Sequence, residues 1–459
     1  MTDVLMYPHG PRAFASALIG HLYEIAQQRS VVLLCDPLPA DYRRLVARRD
    51  LFPGLQTVID VNALGFSLAE LLGENRRWVR TIRSVLDRFE PRLVVTENDM
   101  SSLFDMYLLR EARRRGIRTM SIQAMGQANN RDSCRMFDLW TRYQQDDRPG
   151  RFRQGVRALR RSVRVRLGHG LVHYVLPWMT GQAALTGPSS YVSHVGVPGM
   201  RDSELHLVQT DAQCRVFLEA GCASERLAIL EHPASRIPLD AFLPEPPAEP
   251  STSPNSPSVL VLLGVAATGF DRVNGAVIPA SLRRRLRIDA VEAIRARLPE
   301  WRVLVKAHPT FGTASRVAEY LDRAAPRAEI ADPSLQVEPM LRDAAVVIDL
   351  PAATTSALAT AAAAFPGKPV IAADLDRDLL GTWYADWPGV SHVSSVAELE
   401  SVLDAIGRGT FSEFRASRGS IPVKGIRRFR STLEATDHLI GAGAGAAFAS
   451  RCPSPWTVR

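Results

Sequence analysis

The segment VLVKAHPTFG, from Val303 to Gly312, places Lys306, His308 and Pro309 just past the end of an apolar run. In open α/β sheets ligands gather at the carboxyl ends of the strands, so these side chains are aimed where a ligand would sit. Pro309 fixes the turn and holds His308 extended. The run Thr354, Thr355, Ser356 follows a second apolar strand and opens an alanine-rich helix. Hydroxyls and unpaired N–H groups at a helix N-terminus, at the positive end of its dipole, suit a phosphate. Structural readings stand beside both: a local hydrogen bond for His308, and N-capping by Thr354. A third segment, VVTENDMSS from Val94 to Ser102, puts Glu97 and Asp99 at a strand end, with Ser101 or Ser102 ready to cap the next helix. The loop after the first strand offers His9, Gly10 and Arg12 at the same edge. A carboxylate or an imidazole so placed can take a proton from a hydroxyl, although Glu97 and Asp99 also fit a plain helix-capping acidic loop.

These groups need strands to carry them and helices to separate the strands. Short runs rich in Val, Ile and Leu recur at Val4–Tyr7, Val31–Cys35, Thr57–Asp60, Leu93–Thr96, Thr119–Gln123 and Leu205–Gln209, and read as buried parallel strands. Amphipathic helices are predicted between several of them, over Phe14–Gln27, Leu68–Phe89 and Leu103–Arg115. The stretch LPEPPAEPSTSPNSPS, Leu243 to Ser258, can form neither helix nor central strand and reads as a linker. Alternation then resumes with strands at Val259–Leu263, Arg302–Lys306, Ala345–Asp349 and Pro369–Ala373, and helices at Ala290–Arg297, Ala314–Ala324, Thr354–Ala364 and Val396–Ile406. The expectation is an α/β protein of two Rossmann-like domains facing across a cleft. The first spans 1–242 with a basic insertion at about 150–185, and the linker spans 243–258. A second, ligand-binding domain spans 259–420, followed by a helix over 421–440 and a mobile tail over 441–459.

At 459 residues, 46% hydrophobic and 23% charged, the chain fits two globular domains and no fibrous, disordered or disulfide-rich class. Its five cysteines, Cys35, Cys134, Cys214, Cys222 and Cys452, form no C-x-x-C pair and are expected to be free thiols, mostly buried. No ligand set with metal spacing is apparent, and the residues call for no metal and no cofactor. The net charge of +8 favours an anionic partner. Nucleic acid is disfavoured, because no finger spacing, helix-turn-helix or aromatic–basic interleaving is present. The segment RFRQGVRALRRSVRVRL, Arg151 to Leu167, holds seven arginines and no acid. On a helical wheel Arg157, Arg160, Arg161 and Arg164 gather beside an apolar stripe, a pattern that suits the surface of an anionic membrane. A solvated basic face whose apolar stripe packs on the first domain is the other reading. No leader or spanning run is seen, so the expected location is cytoplasmic, peripheral to the inner face of the cell membrane.

The pair His308-Pro309, the later Thr354-Thr355-Ser356 and the run Gly367 to Ile371, GKPVI, together resemble the C-terminal domain of GT-B-type transferases of bacterial surface polysaccharide synthesis. These include sialyltransferase-like groups, capsule transferases and CDP-glycerol glycerophosphotransferases. The segment Leu205 to Pro233 is also similar to the end of the first domain in GT-B enzymes and UDP-sugar 2-epimerases. The resemblance implies that His308 and Pro309 contact the nucleotide phosphate, that Thr354, Thr355 and Ser356 hold the phosphate or leaving group, and that Lys306 adds countercharge. It implies a base at Glu97 or Asp99, with His9 as the next candidate. The chain departs from many relatives in having Thr360 followed by alanines where a Glu holds the ribose, and Gln123-Ala124-Met125-Gly126 where Q-H-G is common. The implied activity is inverting, metal-independent glycosyl transfer from a CMP-, CDP- or UDP-linked sugar to a glycan or lipid-linked glycan, in cell-surface polysaccharide or glycolipid synthesis. The alternatives are a CDP-glycerol-type polyol-phosphate transferase, a UDP-sugar 2-epimerase-like enzyme, and a non-catalytic partner of a polysaccharide assembly complex.

Overall fold

The computed structural model describes residues 2–8, 18–38, 40–61, 68–97, 103–123, 203–219, 222–230, 257–264, 270–273, 276–308, 311–335, 337–350, 356–365, 367–373, 375, 389–411 and 422–441. The first half builds strands β1 (Val4–Tyr7), β2 (Val31–Cys35), β3 (Leu55–Asp60), β4 (Leu93–Thr96), β5 (Arg118–Ile122), β6 (Leu205–Val208) and β7 (Leu227–Leu230). Helices α1 (Ile19–Ala26), α2 (Ala40–Val46), α3 (Leu68–Phe89), α4 (Leu103–Arg114) and α5 (Asp211–Glu219) alternate with them. All neighbours in this sheet run parallel, in the order β3-β2-β1-β4-β5-β6-β7. The apolar runs are continuous because both faces are covered. Val4 and Met6 join one core with Leu22 and Ile25 of α1, while Leu5 and Tyr7 join the opposite core with Trp78 and Ile82 of α3 and Phe104 of α4.

The second sheet comprises β8 (Ser258–Leu263), β11 (Arg302–Ala307), β12 (Glu329–Ala331), β13 (Val346–Leu350), β14 (Val370–Ala373) and β15 (Ser391–Val393), and between β8 and β11 in the chain β9 (Phe270–Val273) and β10 (Ala276–Pro279) form a separate antiparallel hairpin. Its helices are α6 (Ala280–Arg297), α7 (Ala314–Leu321), α8 (Glu338–Asp343), α9 (Ser356–Ala364) and α10 (Val396–Gly407). The order β12-β11-β8-β13-β14-β15 is, in its own chain sequence, 3-2-1-4-5-6, the doubly wound order that reverses beside its first strand. Helix α6 begins ten residues before the expected Ala290, because its first turns are arginine-rich and carry little apolar periodicity. The expected helix over Ala314–Ala324 stops at Leu321 and continues as 3₁₀ turns over Asp322–Arg327, where Pro326 cannot supply a backbone donor.

The chain then returns to the first sheet. Strand β16 (Arg427–Phe429) pairs parallel with β7, and helix α11 (Thr432–Gly441) lays Ala435, Leu439 and Ile440 into the core under α1. Hydrogen bonds from Thr432 N–H to the Glu24 carboxylate (2.7 Å) and from Arg29 to Asp437 (2.8 Å) fasten this return. The sequence reading expected a helix here and missed the strand before it. Gly54 closes another tight junction: its N–H donates to Ala26 O and its carbonyl accepts from Val31 N–H, both at 2.8 Å. A Cβ at Gly54 would lie 2.0 Å from Arg29 O and 2.7 Å from Ala26 O, and backbone atoms cannot step aside cheaply. Gly54→Ala is therefore expected to cost about 3 kcal/mol or more, read as a lower urea midpoint with an unchanged slope. Parent-like unfolding would show that this junction is loose.

Candidate functional site

Each sheet reverses its strand order once, and among the described candidates Glu97 and His308 each follow a strand beside those reversals. In the first sheet the reversal falls between β1 and β4, where Tyr7 pairs with Thr96. Glu97 is the residue after β4 and is 7% exposed. Asp99 and His9 lie outside the described residues, as do Pro309, Thr354, Thr355, Arg157, Arg160, Arg161 and Arg164.

Glu97 has company. Asp36, directly after β2, is 1% exposed and accepts from the Tyr7 hydroxyl at 3.4 Å, and Tyr7 packs against Phe104 with ring centroids 4.6 Å apart. Gln123 follows β5 and Gln209 follows β6, both buried, and the Gln209 side-chain amide donates to Gln123 O at 3.1 Å. Thr210 caps α5 by accepting from Gln213 N–H (3.0 Å), and the Gln213 side chain returns to accept from Gln209 N–H (2.8 Å). One polar residue thus stands immediately after each of β2, β4, β5 and β6, in a region where burial of polar groups is costly unless they are used. The sequence reading found Glu97 and missed Asp36 and Gln209 as site residues. The signal was present for Asp36, since VVLLC is an apolar run ended by that polar side chain.

In the second sheet main-chain bonds extend the ladder past the strand ends. His308 N–H donates to Leu263 O at 2.8 Å, Gly264 N–H to Leu350 O at 3.2 Å, and Phe311 N–H closes a turn on His308 O at 3.0 Å. These bonds hold the half-buried His308 beside the β8–β13 reversal. Lys306 is buried, and its ammonium donates to Ala307 O (3.0 Å) and Pro333 O (2.8 Å), so it ties the end of β11 to the loop after β12. Burial lowers its pKa, opposed by the charges of Asp332 and Glu338. Two of its three N–H donors are spent on these carbonyls. Asp349, fully buried, pairs through the backbone with Leu262 on one side of β8 as Lys306 does on the other. The two charged residues therefore share a row, about 10 Å apart at two strand spacings. Leu358 and Ala361 of α9 pack with Leu260, Leu262 and Val347, and Ser356 is the first residue of that helix.

Cys35, Cys214 and Cys222 are buried, and burial raises the Cys35 thiol to about 12 and the Cys214 thiol to about 11, too high for a reactive thiolate. Among the described residues no helix is long and apolar enough to cross a membrane.

The sequence matches no protein-family model and no curated protein. Its structure matches solved ones. A protein of Listeria monocytogenes assigned as a UDP-N-acetylglucosamine 2-epimerase superposes with a TM-score of 0.51 at 12% identity, over 96% of each chain. The UDP-N-acetylglucosamine 2-epimerase of Rickettsia bellii superposes with a TM-score of 0.51 at 11% identity, over 96% of this chain and 95% of the other. At such identities the likeness is one of fold: two parallel-sheet α/β domains of the GT-B type, as expected from the alternation of strands and helices.

Proposed function

We propose that the chain is an enzyme acting on a nucleotide-activated sugar, and that it is an inverting, metal-independent glycosyltransferase. The nucleotide of the donor is held at the carboxyl edge of the second sheet by His308, Pro309, the Thr354–Ser356 run and Lys306. The acceptor hydroxyl meets a base at Glu97 or Asp99 on the first. The observation that carries this reading is the buried carboxylate of Glu97 at the strand reversal of the first sheet, in a row of buried polar groups. Preorganised donors at the other edge stabilise the departing phosphate. The reading predicts that one or more of CMP, CDP, UDP and GDP raises the melting temperature. Saturation at a hundred times Kd adds about 2.7 kcal/mol, several degrees for a protein of this size. A flat response to all four, with the protein folded, would remove the nucleotide site.

A second reading is favoured by one observation, the pairing of Asp36 with the Tyr7 hydroxyl, which brings a second carboxylate to the edge where Glu97 lies. Acid–base chemistry on a sugar ring carbon, as in a 2-epimerase, needs such groups. Incubation with UDP-N-acetylglucosamine in heavy water separates the two. Deuterium at carbon 2 without acceptor marks epimerisation, whereas release of UDP that depends on acceptor marks transfer.

The placement at a membrane rests on the arginines of the 151–167 segment. Each contributes on the order of 1 kcal/mol near an anionic surface, and salt screens it. The protein is expected to sediment with anionic liposomes at low salt and to be released at high salt. Neutralising Arg157, Arg160, Arg161 and Arg164 should abolish the effect. Equal recovery in the supernatant with anionic and neutral liposomes would overturn the placement.

A further inference from the structure

We propose that Arg287 binds a phosphate group of the substrate, in the layer between α6 and α7 below the turn that carries His308. Arg287 is 2% exposed. One arm of its guanidinium, Nη1, donates to the Tyr320 hydroxyl at 3.3 Å, and the group lies 5.8 Å from the centroid of that ring. The other edge, Nε and Nη2, is shielded from solvent and meets no acceptor among the described residues. Arginine keeps its charge under all ordinary conditions, so a buried guanidinium with an unused edge carries a desolvation cost that its contacts with Tyr320 offset only in part. The Nε–Nη2 edge is also the fork that grips two oxygens of a phosphate or carboxylate at once.

The surroundings point the same way. The neighbouring described arginines of α6 are engaged: Arg284 donates to Glu319 O (2.8 Å) and Tyr320 O (2.7 Å), ending α7, and Arg285 approaches Asp289 at 3.7 Å. Asp289 and Glu292 are in turn held by Arg323, each at 2.9 Å. Thus the acids on this stretch of α6 are spoken for, and Arg287 alone keeps a free fork among the described residues of that stretch. Helical side chains lean toward the helix N-terminus, and α6 follows β8, so the Arg287 fork leans toward the carboxyl edge of the sheet. Contacts continue to that edge: the Tyr320 ring meets Phe311 edge-on at 5.2 Å, and Phe311 N–H is bonded to His308 O. A phosphate held by the fork would lie on the same side of the second sheet as the His308 turn, and both would then share one phosphate chain.

The inference deepens the reading of the second domain as a nucleotide site and rests on it for the identity of the ligand. The test compares the parent with Arg287→Met and Arg287→Lys, by calorimetry and thermal shift, using UDP and CDP, their nucleosides uridine and cytidine, and inorganic pyrophosphate. The methionine variant should lose at least tenfold in diphosphate affinity while nucleoside binding is unchanged, and the lysine variant should fall between. Unchanged diphosphate affinity in the methionine variant overturns the proposal. If that variant does not fold, Arg287→Lys decides, and parent-like diphosphate affinity in it overturns the proposal equally. Should the parent bind no nucleotide but gain stability from pyrophosphate in an Arg287-dependent way, Arg287 remains a phosphate ligand and the nucleotide reading falls. A parent indifferent to every phosphate-bearing probe sinks the inference itself.

Discussion

His308→Ala is expected to abolish measurable turnover and to weaken nucleotide binding by roughly ten- to a hundredfold, while the melting temperature stays within a few degrees of the parent. The affinity figure follows from a hydrogen bond to a charged group being worth about 1.5–3 kcal/mol. The fold should persist because what fixes the turn is main chain: His308 N–H to Leu263 O, and Phe311 N–H to His308 O. Alanine keeps both bonds and removes only a half-buried ring. Turnover should fall further than affinity, because the charge on the departing phosphate grows in the transition state and a donor aimed at it counts for more there. Steady-state rates and calorimetric Kd measured on one folded preparation check the result. A folded variant with parent affinity and turnover would take His308 out of the site.

Glu97→Gln is the second large effect, and it should divide the two domains. Loss of a general base costs about 10²–10⁴-fold in rate. Nucleotide affinity should be untouched, since Glu97 belongs to the first sheet and the nucleotide is assigned to the second. Glutamine has nearly the shape of glutamate and can hydrogen-bond, so this 7%-exposed position should tolerate it without a packing defect. Asp99→Asn is the companion variant, because both acids follow the same strand. A rate loss confined to one of them names the base. If both variants turn over at the parent rate, the base lies elsewhere and His9 is next to be replaced.

Much of the scaffold was legible in the chain. Val4–Tyr7, Val31–Cys35, Leu93–Thr96 and the helix Leu68–Phe89 have the expected bounds, because strands buried on both faces must be continuously apolar and a long amphipathic helix declares its period. The three-residue strands β12, β15 and β16 were not legible. Glu-Ile-Ala, Ser-His-Val and Arg-Arg-Phe carry no periodicity, and they are strands only because an existing sheet edge offers them backbone partners. The first turns of α6 escaped notice for a related reason. Their sequence, ASLRRRLR, carries little apolar periodicity, yet Arg287 is buried and bonded to Tyr320 of α7.

Residue types and local order thus determined the class of fold and which side chains end up at strand termini: His308 after β11, Glu97 after β4, and Lys306 as the penultimate residue of β11. These follow from short-range rules, since a strand's burial and its end are written in neighbouring residues. Only the tertiary structure decided which termini are neighbours. Strand order arises from parallel backbone pairing between segments far apart in sequence, and the backbone bonds are indifferent to the side chains they carry. That ordering set β1 beside β4 and β8 beside β13, brought Asp36 and Tyr7 to the edge where Glu97 lies, spent two of the donors of Lys306 on carbonyls, and drew the C-terminal segment back onto the first sheet.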